Sequence, residues 1–496
     1  MKTTPRPVLV LILLAFALAL LRAVPLLAHT PLLGIANSFD QARYTGCFDL
    51  YPDRPAPIRP DENSPNAPFE FYRFQQNPVP LCYGSSELLQ QGVAVGIYKL
   101  QQAQGVERHS VRWLGWLRLL LLSALVAAFC HAWLRRGLWP AALANAAVFA
   151  VVLSDPSNTL YFHTFYAEPS ALFAAYALFN LIVLYAQRKP SVRGALLLGV
   201  AALLLAVSKI QHLALPLALA GVVLLLGLWH RRRIAWQGLP LLAGAVLGLG
   251  LQFAQLSRDD PMMKSIRSFN RANVVFTSLL PAVADPVATT RRLGLPESCA
   301  AYAGKVAWQL PGLAEDICPG MEKVSRLHVL REFLREPASL LRFARNGIAV
   351  LNPWLPRNLG HVEGAVLGKL PARFVSWNGL LDRSPLLRNL LFALPLLFAL
   401  AALRRPDRLA LFAALLATLM LATFGVAVFG DGLADVAKQG HLVFNAALSW
   451  LCVATVLLAT RRLYRRSGRG VDAVDLDQQL GPAYVAQQHQ ALGRLR

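Results

Sequence analysis

The sequence predicts an all-α polytopic membrane protein with about ten transmembrane helices and two large external loops carrying interfacial helices. Composition, run length and the sign of the connectors carry that reading. The 496-residue chain is 55% hydrophobic and only 15% charged, with a mean hydropathy of +0.44. A soluble domain carries about 25% charged residues, so this chain has too much apolar surface for one soluble core. The apolar residues come in runs of roughly 17–22, the length that crosses about 30 Å of hydrocarbon as a helix.

The runs lie at 8–28, 112–134, 138–154, 169–187, 193–208, 213–230, 236–255, 386–403, 408–428 and 441–460. Backbone N–H and C=O groups cannot stay unpaired in lipid, so each run is expected to be helical. Lys2 and Arg6 precede the first run. Alternate short connectors are basic: Arg135-Arg136, Arg188-Lys189 with Arg193, Arg231-Arg232-Arg233, Arg404-Arg405 with Arg408, and Arg461-Arg462 with Arg465-Arg466. By the positive-inside rule these connectors and both termini are expected to be cytoplasmic, with the other connectors outside. A cleaved signal peptide is the rival reading of residues 1–28, but the apolar stretch exceeds the usual length of about 7–15 residues. The net charge of +22 does not argue for nucleic acid. Much of it sits in cytoplasmic turns facing anionic lipid, and no basic, aromatic-interleaved domain or zinc-finger spacing accompanies it.

These boundaries divide the chain into a first helix (1–28), an external loop with an interfacial helix (29–111), helices two to seven (112–255), a large external loop (256–385), helices eight to ten (386–466) and a cytoplasmic tail (467–496). In the first loop a Pro-rich stretch, 53–80, is followed by a helical segment, 85–104, whose Leu88, Val95 and Tyr98 suit a helix at the membrane surface. In the second, residues 325–351 read as two short helices broken at Pro337. Leu327, Leu330, Leu334, Leu340, Leu341 and Phe343 supply their apolar faces. Cys47 and Cys82 share the first loop, Cys299 and Cys318 the second, so both pairs are disulfide candidates in an oxidising compartment; four unpaired thiols are the alternative.

Four polar clusters fall on the expected outer side. The first is Asn37-Ser38-Phe39-Asp40-Gln41-Ala42-Arg43-Tyr44, with Asp49 shortly after. A carboxylate where a helix leaves the membrane can take a proton from a substrate hydroxyl, or simply cap a helix. The second runs from Tyr161 through His163, Tyr166 and Glu168 to Pro169. Glu168 sits against an apolar run, where a carboxylate is costly unless paired or facing a cavity; the plainer reading is a cap on a helix with Pro169 at its first turn. The third is Ser208-Lys209-Ile210-Gln211-His212. Lys209 either snorkels to the headgroups or offers a cation to a lipid-linked phosphate, with Gln211 and His212 as donors. The fourth holds Asp431, Asp435, Lys438 and His441 at helical spacing, which suits either one face of a site or an ion-paired surface turn. An accidental scatter would have put some of these clusters inside.

Taken together, these features resemble the GT-C superfamily of membrane glycosyltransferases, which use polyprenyl-phosphate sugars on the outer face of the membrane. Asn37-Ser38-Phe39-Asp40 stands where that family places its catalytic acid, so the resemblance implies Asp40 as general base. Phe165-Tyr166-Ala167-Glu168-Pro169 looks like the acidic motif of bacterial glycan hexosyltransferase-like proteins. The stretch from Asn273-Val274-Val275-Phe276 through Asp285-Pro286 to Leu293-Gly294-Leu295-Pro296 is similar too, as is Gly430-Asp431-Gly432 with Asp435 and His441. The adjacent Asp-Glu pair of some members is missing from the first loop, which leaves Asp49 as a competitor to Asp40.

The resemblance implies inverting transfer of a sugar from a polyprenyl-phosphate donor to a glycan or lipid-linked acceptor, at the periplasmic face of a bacterial inner membrane. Asp40 and Glu168 are the expected catalytic residues. Arg43, Tyr44, His163, Tyr166, Lys209, Gln211, His212, Asp431, Asp435 and His441 are expected to bind substrate or phosphate. No cofactor is required; a divalent metal is open to the acidic and His residues, but no spacing demands one. The expected partners are donor, acceptor and membrane lipid, with no nucleic acid. The rivals are a lipid-linked saccharide flippase, an O-antigen-type polymerase or ligase, and a non-catalytic assembly subunit. A flippase would carry charged groups at mid-bilayer along a path, whereas the acidic residues here collect at one face.

Overall fold

The computed structural model describes residues 5–35, 39–53, 69–77, 81–186, 188–230, 233–350, 359–361, 370–404, 407–434, 436 and 440–466. Each of the ten apolar runs is helical. The helices are α1 (Arg6–Leu27), α2 (Arg112–Leu134), α3 (Trp139–Val148), α4 (Glu168–Tyr185), α5 (Val192–Ser208), α6 (Ala214–Trp229), α7 (Gly238–Leu256), α8 (Pro385–Arg404), α9 (Arg408–Phe429) and α10 (His441–Arg466). Among the described residues, seven helical segments, those of α1, α2, α4, α6, α7, α8 and α10, are long and apolar enough to cross a membrane. An eighth crossing would be a bent pair, Trp139–Leu153 with Pro156–His163, which turns by 70°. The apolar part of α9, Arg408–Thr423, and α5 are shorter; the 17 residues of α5 rise only about 26 Å. The cytoplasmic tail expected at 467–496 lies outside the described residues.

Helices α2 and α3 pack together, α3 also packs onto α10, α4 and α7 flank α5, and α9 lies between α6 and α8. Large apolar side chains remain exposed along the outer faces, among them Leu13, Leu21, Leu197, Leu247 and Phe253. In an integral membrane protein such faces meet lipid tails rather than water.

The bend has a physical cause. α3 runs into a π turn, Phe149–Leu153, and then breaks at Asp155, whose carboxylate accepts from the Ser157 N–H to start the next segment. Arg22, inside α1, donates to the carbonyls of Ala150 (2.7 Å) and Val151 (3.0 Å) and pairs with Asp155 at 2.9 Å. Trp377 adds its backbone N–H to Asp155 and its indole N–H to Val151. Irregular backbone is tolerated at membrane depth where protein partners satisfy it, and here the partner is an arginine from the neighbouring helix.

The all-α expectation misses five short strands. β1 (Leu33–Ile35) pairs antiparallel with β5 (Leu359–His361), tying the two long connecting segments together. β2 (Leu50–Pro52), β3 (Phe71–Phe74) and β4 (His109–Ser110) form an antiparallel sheet within the first segment. Runs of two to four residues are too short for alternation to register in a sequence. The helix expected at 85–104 is Glu87–Ala103, and its Val95–Tyr98 face is buried against Leu114, Phe165 and the sheet residue Tyr72. The two helices around Pro337 are Arg326–Arg335 and Pro337–Val350. Cys47 is joined to Cys82, and Cys299 to Cys318.

Candidate functional site

The site is built from the first turn of α4 outward. Glu168 is the first residue of that helix and Pro169 the second. The Glu168 side chain, in a residue only 1% exposed, accepts from Lys209 Nζ at 3.1 Å. Lys209 is extended (φ −157°, ψ 149°) between α5 and the turn Ile210–His212, and it is 8% exposed. Glu168 thus stands in the first turn of α4, as the plainer reading had it, and also meets a cation, whereas Lys209 turns inward to the carboxylate rather than snorkelling. Each charge alone would be costly to bury, and together they offset much of that cost. Lys209→Met leaves the Glu168 carboxylate buried without its cation and is expected to destabilise the protein by about 2–3 kcal/mol. Thermal unfolding of the purified variant checks this, and the double variant with Glu168→Gln should recover most of the loss.

The third and fourth clusters close onto this pair. His212 Nδ1 lies 2.9 Å from Ser208 Oγ, and Glu168, Lys209 and His441 all lie within electrostatic range of its ring. Gln211 donates to Asp431 at 3.2 Å. Asp431 sits in a turn rather than on a helix, because Gly432 takes φ +69° there. A Cβ at Gly432 would stand 2.3 Å from the Asn273 carbonyl oxygen, so both conformation and space demand glycine. The Leu433 N–H donates to Thr277 Oγ1 (2.8 Å), and Arg326 holds the Gly430 carbonyl (2.8 Å). Asn273 and its neighbours therefore act by seating the Asp431 turn. Asp435 and Lys438 lie outside the described residues.

His441 opens α10. Its Nε2 is 2.7 Å from Asn158 Oδ1, which requires the proton on Nε2, and Asn158 in turn exchanges hydrogen bonds with Asn445. The buried Nδ1 of His441 has no hydrogen-bond partner among the described residues. The His441 ring stands 5.4 Å from Tyr161, which stands 5.8 Å from the buried Tyr166.

The first cluster joins through Gln41. Asp40 and Arg43 pair across one turn of the short helix Phe39–Thr45. The next residue, Gln41, accepts from the Phe165 N–H at 2.8 Å, three residues before Glu168. Ala42 and Tyr44 pack in one apolar cluster with Ala167, Tyr83 and Ile210. Burial pushes the Tyr44 hydroxyl well above the usual tyrosine range, and that of Tyr83 up to about 12, so both are hydrogen-bonding groups rather than bases. Asp49 is exposed and left-handed (φ 51°) at the end of the turn Gly46–Phe48, a conformation that Asp tolerates well. Asp49 is a turn residue.

His163 is the expected site residue that goes elsewhere. Its Nδ1 lies 3.1 Å from the Leu33 carbonyl, and its ring rests on Gly115 of α2, where a Cβ would meet Cδ2 at 2.4 Å. Gly115→Ala must push this buried ring away and is expected to cost about 1–3 kcal/mol, read as a lower unfolding temperature. Among the described residues no group of three His, Cys, Asp or Glu side chains is arranged to hold a metal ion.

The family model of the YfdI N-terminal transmembrane domain matches residues 2–473, a range that takes in all ten helices. The chain belongs to that family. No curated protein and no solved structure matches it.

The strongest polar feature of this YfdI-type domain was not singled out from the sequence. Arg118, in α2, and Glu87, at the start of Glu87–Ala103, form a fully buried ion pair. Arg118 also donates to the carbonyls of Tyr161 and Phe162, each at 2.9 Å, and Thr164. Glu87 accepts from Ser170 Oγ at 2.8 Å, and Gln91 holds the Phe165 carbonyl at 3.1 Å. Burial pushes the Glu87 carboxyl above the usual carboxylate range, against the opposing pull of Arg118. The pair thus fixes both ends of the stretch 161–170 that carries Tyr166 and Glu168. The signal was present: Arg118 is an arginine inside an apolar run, where an ionised side chain needs a partner.

Proposed function

We propose that this integral membrane protein is a GT-C-type glycosyltransferase. It moves a sugar from a polyprenyl-phosphate donor to a glycan or lipid-linked acceptor at the periplasmic face of a bacterial inner membrane, with both termini cytoplasmic. The observation that carries the reading is the convergence of all four polar segments. Gln41 meets Phe165, Glu168 meets Lys209, and Gln211 meets Asp431, although these residues are far apart in the chain. The alternating basic connectors support the orientation.

In this reading Asp40 takes the proton from the acceptor hydroxyl. The hydroxyl oxygen bonds to the anomeric carbon as the bond from that carbon to the phosphate oxygen breaks, and the electron pair leaves with the lipid phosphate. Attack from the face opposite the leaving group inverts the configuration. Arg43 offsets the phosphate charge, joined by Lys209, whose ammonium has donors beyond the one given to Glu168. Glu168, held by Lys209, orients sugar or acceptor hydroxyls. Asp40 is favoured over Asp49 as base because its helix is tied to the Glu168 segment, whereas Asp49 ends a turn in solvent.

The test is to incubate the purified full-length protein in nanodiscs with radiolabelled polyprenyl-phosphate hexoses and a membrane-lipid extract as acceptor. The expected result is label on the acceptor with matching release of unlabelled polyprenyl phosphate. Donor left intact across the hexoses, with the protein confirmed as folded, would overturn the assignment.

A further inference from the structure

A long cavity runs through the bundle between α3, α4, α9 and α10. It has a volume of about 460 Å³ and is bordered on α10 from Leu442, next to His441, to Arg461. That stretch of helix rises about 28 Å, most of the hydrocarbon thickness. Its walls are mostly apolar, with Leu153, Leu172, Phe179, Phe412 and Leu457 among them. The polar side chains Asn145 and Tyr176 satisfy one another, Tyr176 donating to Asn145 at 2.8 Å.

One end of the cavity is different. Trp133, Trp139, Arg408 and Arg461 gather there. The Arg136 guanidinium stacks over the rings of Trp133 and Tyr185, and that of Arg408 lies 5.7 Å from the Trp133 ring. Burial, with Arg188 and Arg408 close by, pushes Arg136 down to about 10, so this end is crowded with positive charge. The only acidic side chain lining the cavity, among the described residues, is Asp407, and it is engaged in capping α9 through the Ala410 N–H. A cluster of cations at the mouth of a chain-length apolar slot fits an anionic amphiphile.

We propose that this cavity is a structural site for one anionic glycerophospholipid. Its phosphate lies against Arg408 and Arg461, which line the slot, and one acyl chain runs along α10 to end beneath Asn445. The cations sit at the end of the slot opposite the Glu168–Lys209 pair, so a lipid held this way is separate from any donor whose phosphate reacts at that pair. Asn445 belongs both to the cavity wall and to the Asn158–His441 network, so the end of the acyl chain supports the residue that orients His441.

The experiment is native mass spectrometry of the full-length protein, delipidated in detergent and titrated with phosphatidylglycerol, phosphatidylcholine or undecaprenyl phosphate. One phosphatidylglycerol is expected to bind at least 10-fold more tightly than phosphatidylcholine. Arg408→Gln with Arg461→Gln should erase that preference, and Ala144→Leu, which narrows the slot at a lining position, should weaken retention of both phospholipids. Equal affinity for the two phospholipids, or wild-type retention in both variants, would overturn the proposal. So would retention of undecaprenyl phosphate in place of phosphatidylglycerol. Because binding is read directly, the outcome does not depend on sugar transfer.

Discussion

Asp40→Asn is expected to lower sugar transfer by about 10²–10⁴-fold, the usual contribution of a positioned general base. The substitution keeps shape and size and removes only the ability to accept the proton. Its structural cost should be modest, because Asn keeps an oxygen that can still accept from Arg43, one turn away in a pair whose side chains are each 15% exposed. Folding and activity are therefore separable in this variant. Asp49→Asn is the matched control and should retain near-normal transfer, since Asp49 closes a turn and points to solvent. Initial rates in nanodiscs, with unfolding temperature measured on the same samples, decide between them. If Asp49→Asn lost activity and Asp40→Asn kept it, the roles would be reversed; full activity in both would remove both as the base.

Arg118→Ala is expected to cost about 3–5 kcal/mol, the usual loss when one partner of a buried ion pair is removed. Glu87 would be left as a buried carboxylate, and the carbonyls of Tyr161, Phe162 and Thr164 would lose a shared donor. Arg118→Lys should recover only part of the loss, because an ammonium cannot reproduce the planar fork that serves Glu87 and three carbonyls at once. The double variant Glu87→Leu with Arg118→Met removes both charges and should restore much of the stability, since apolar replacements of buried pairs are often near neutral. It should not restore full transfer, because the carbonyls of Tyr161, Phe162 and Thr164 would lose the donor that fixes the start of the stretch carrying Glu168. Apparent unfolding temperature and recovery of monodisperse protein report the first effect, and transfer rate reports the second. An Arg118→Ala protein as stable as wild type would show that water or backbone movement satisfies Glu87, against the geometry described.

The difference between Glu168 and His163 shows how far local sequence reading reaches. Both are polar residues in one segment beside an apolar run, and both were expected at the site. Of the two, only Glu168 meets the other clusters, because Lys209, at the end of α5, reaches it; His163 turns toward Leu33 and fills the space above Gly115. Nothing within the segment distinguishes them. Likewise Arg22 and Arg118 read as single charges in long apolar runs, and their partners Asp155 and Glu87 come from elements 133 and 31 residues away. Tertiary contact alone pairs them.

The ten helical stretches, the break before Pro337, the short helix of the first connecting segment and the location of the cysteines were all legible in the sequence. Each follows from a local rule: apolar run length, proline geometry or composition. How many of those helices cross the membrane was less legible, because α5 and the apolar part of α9 fall short in length and α3 breaks at Asp155. The short strands escaped because two to four residues carry no periodicity. The site itself was decided by packing. A buried charge must find its counter-charge wherever the fold puts one, and only the assembled bundle brings Glu168 to Lys209, Gln211 to Asp431 and His441 to Asn158.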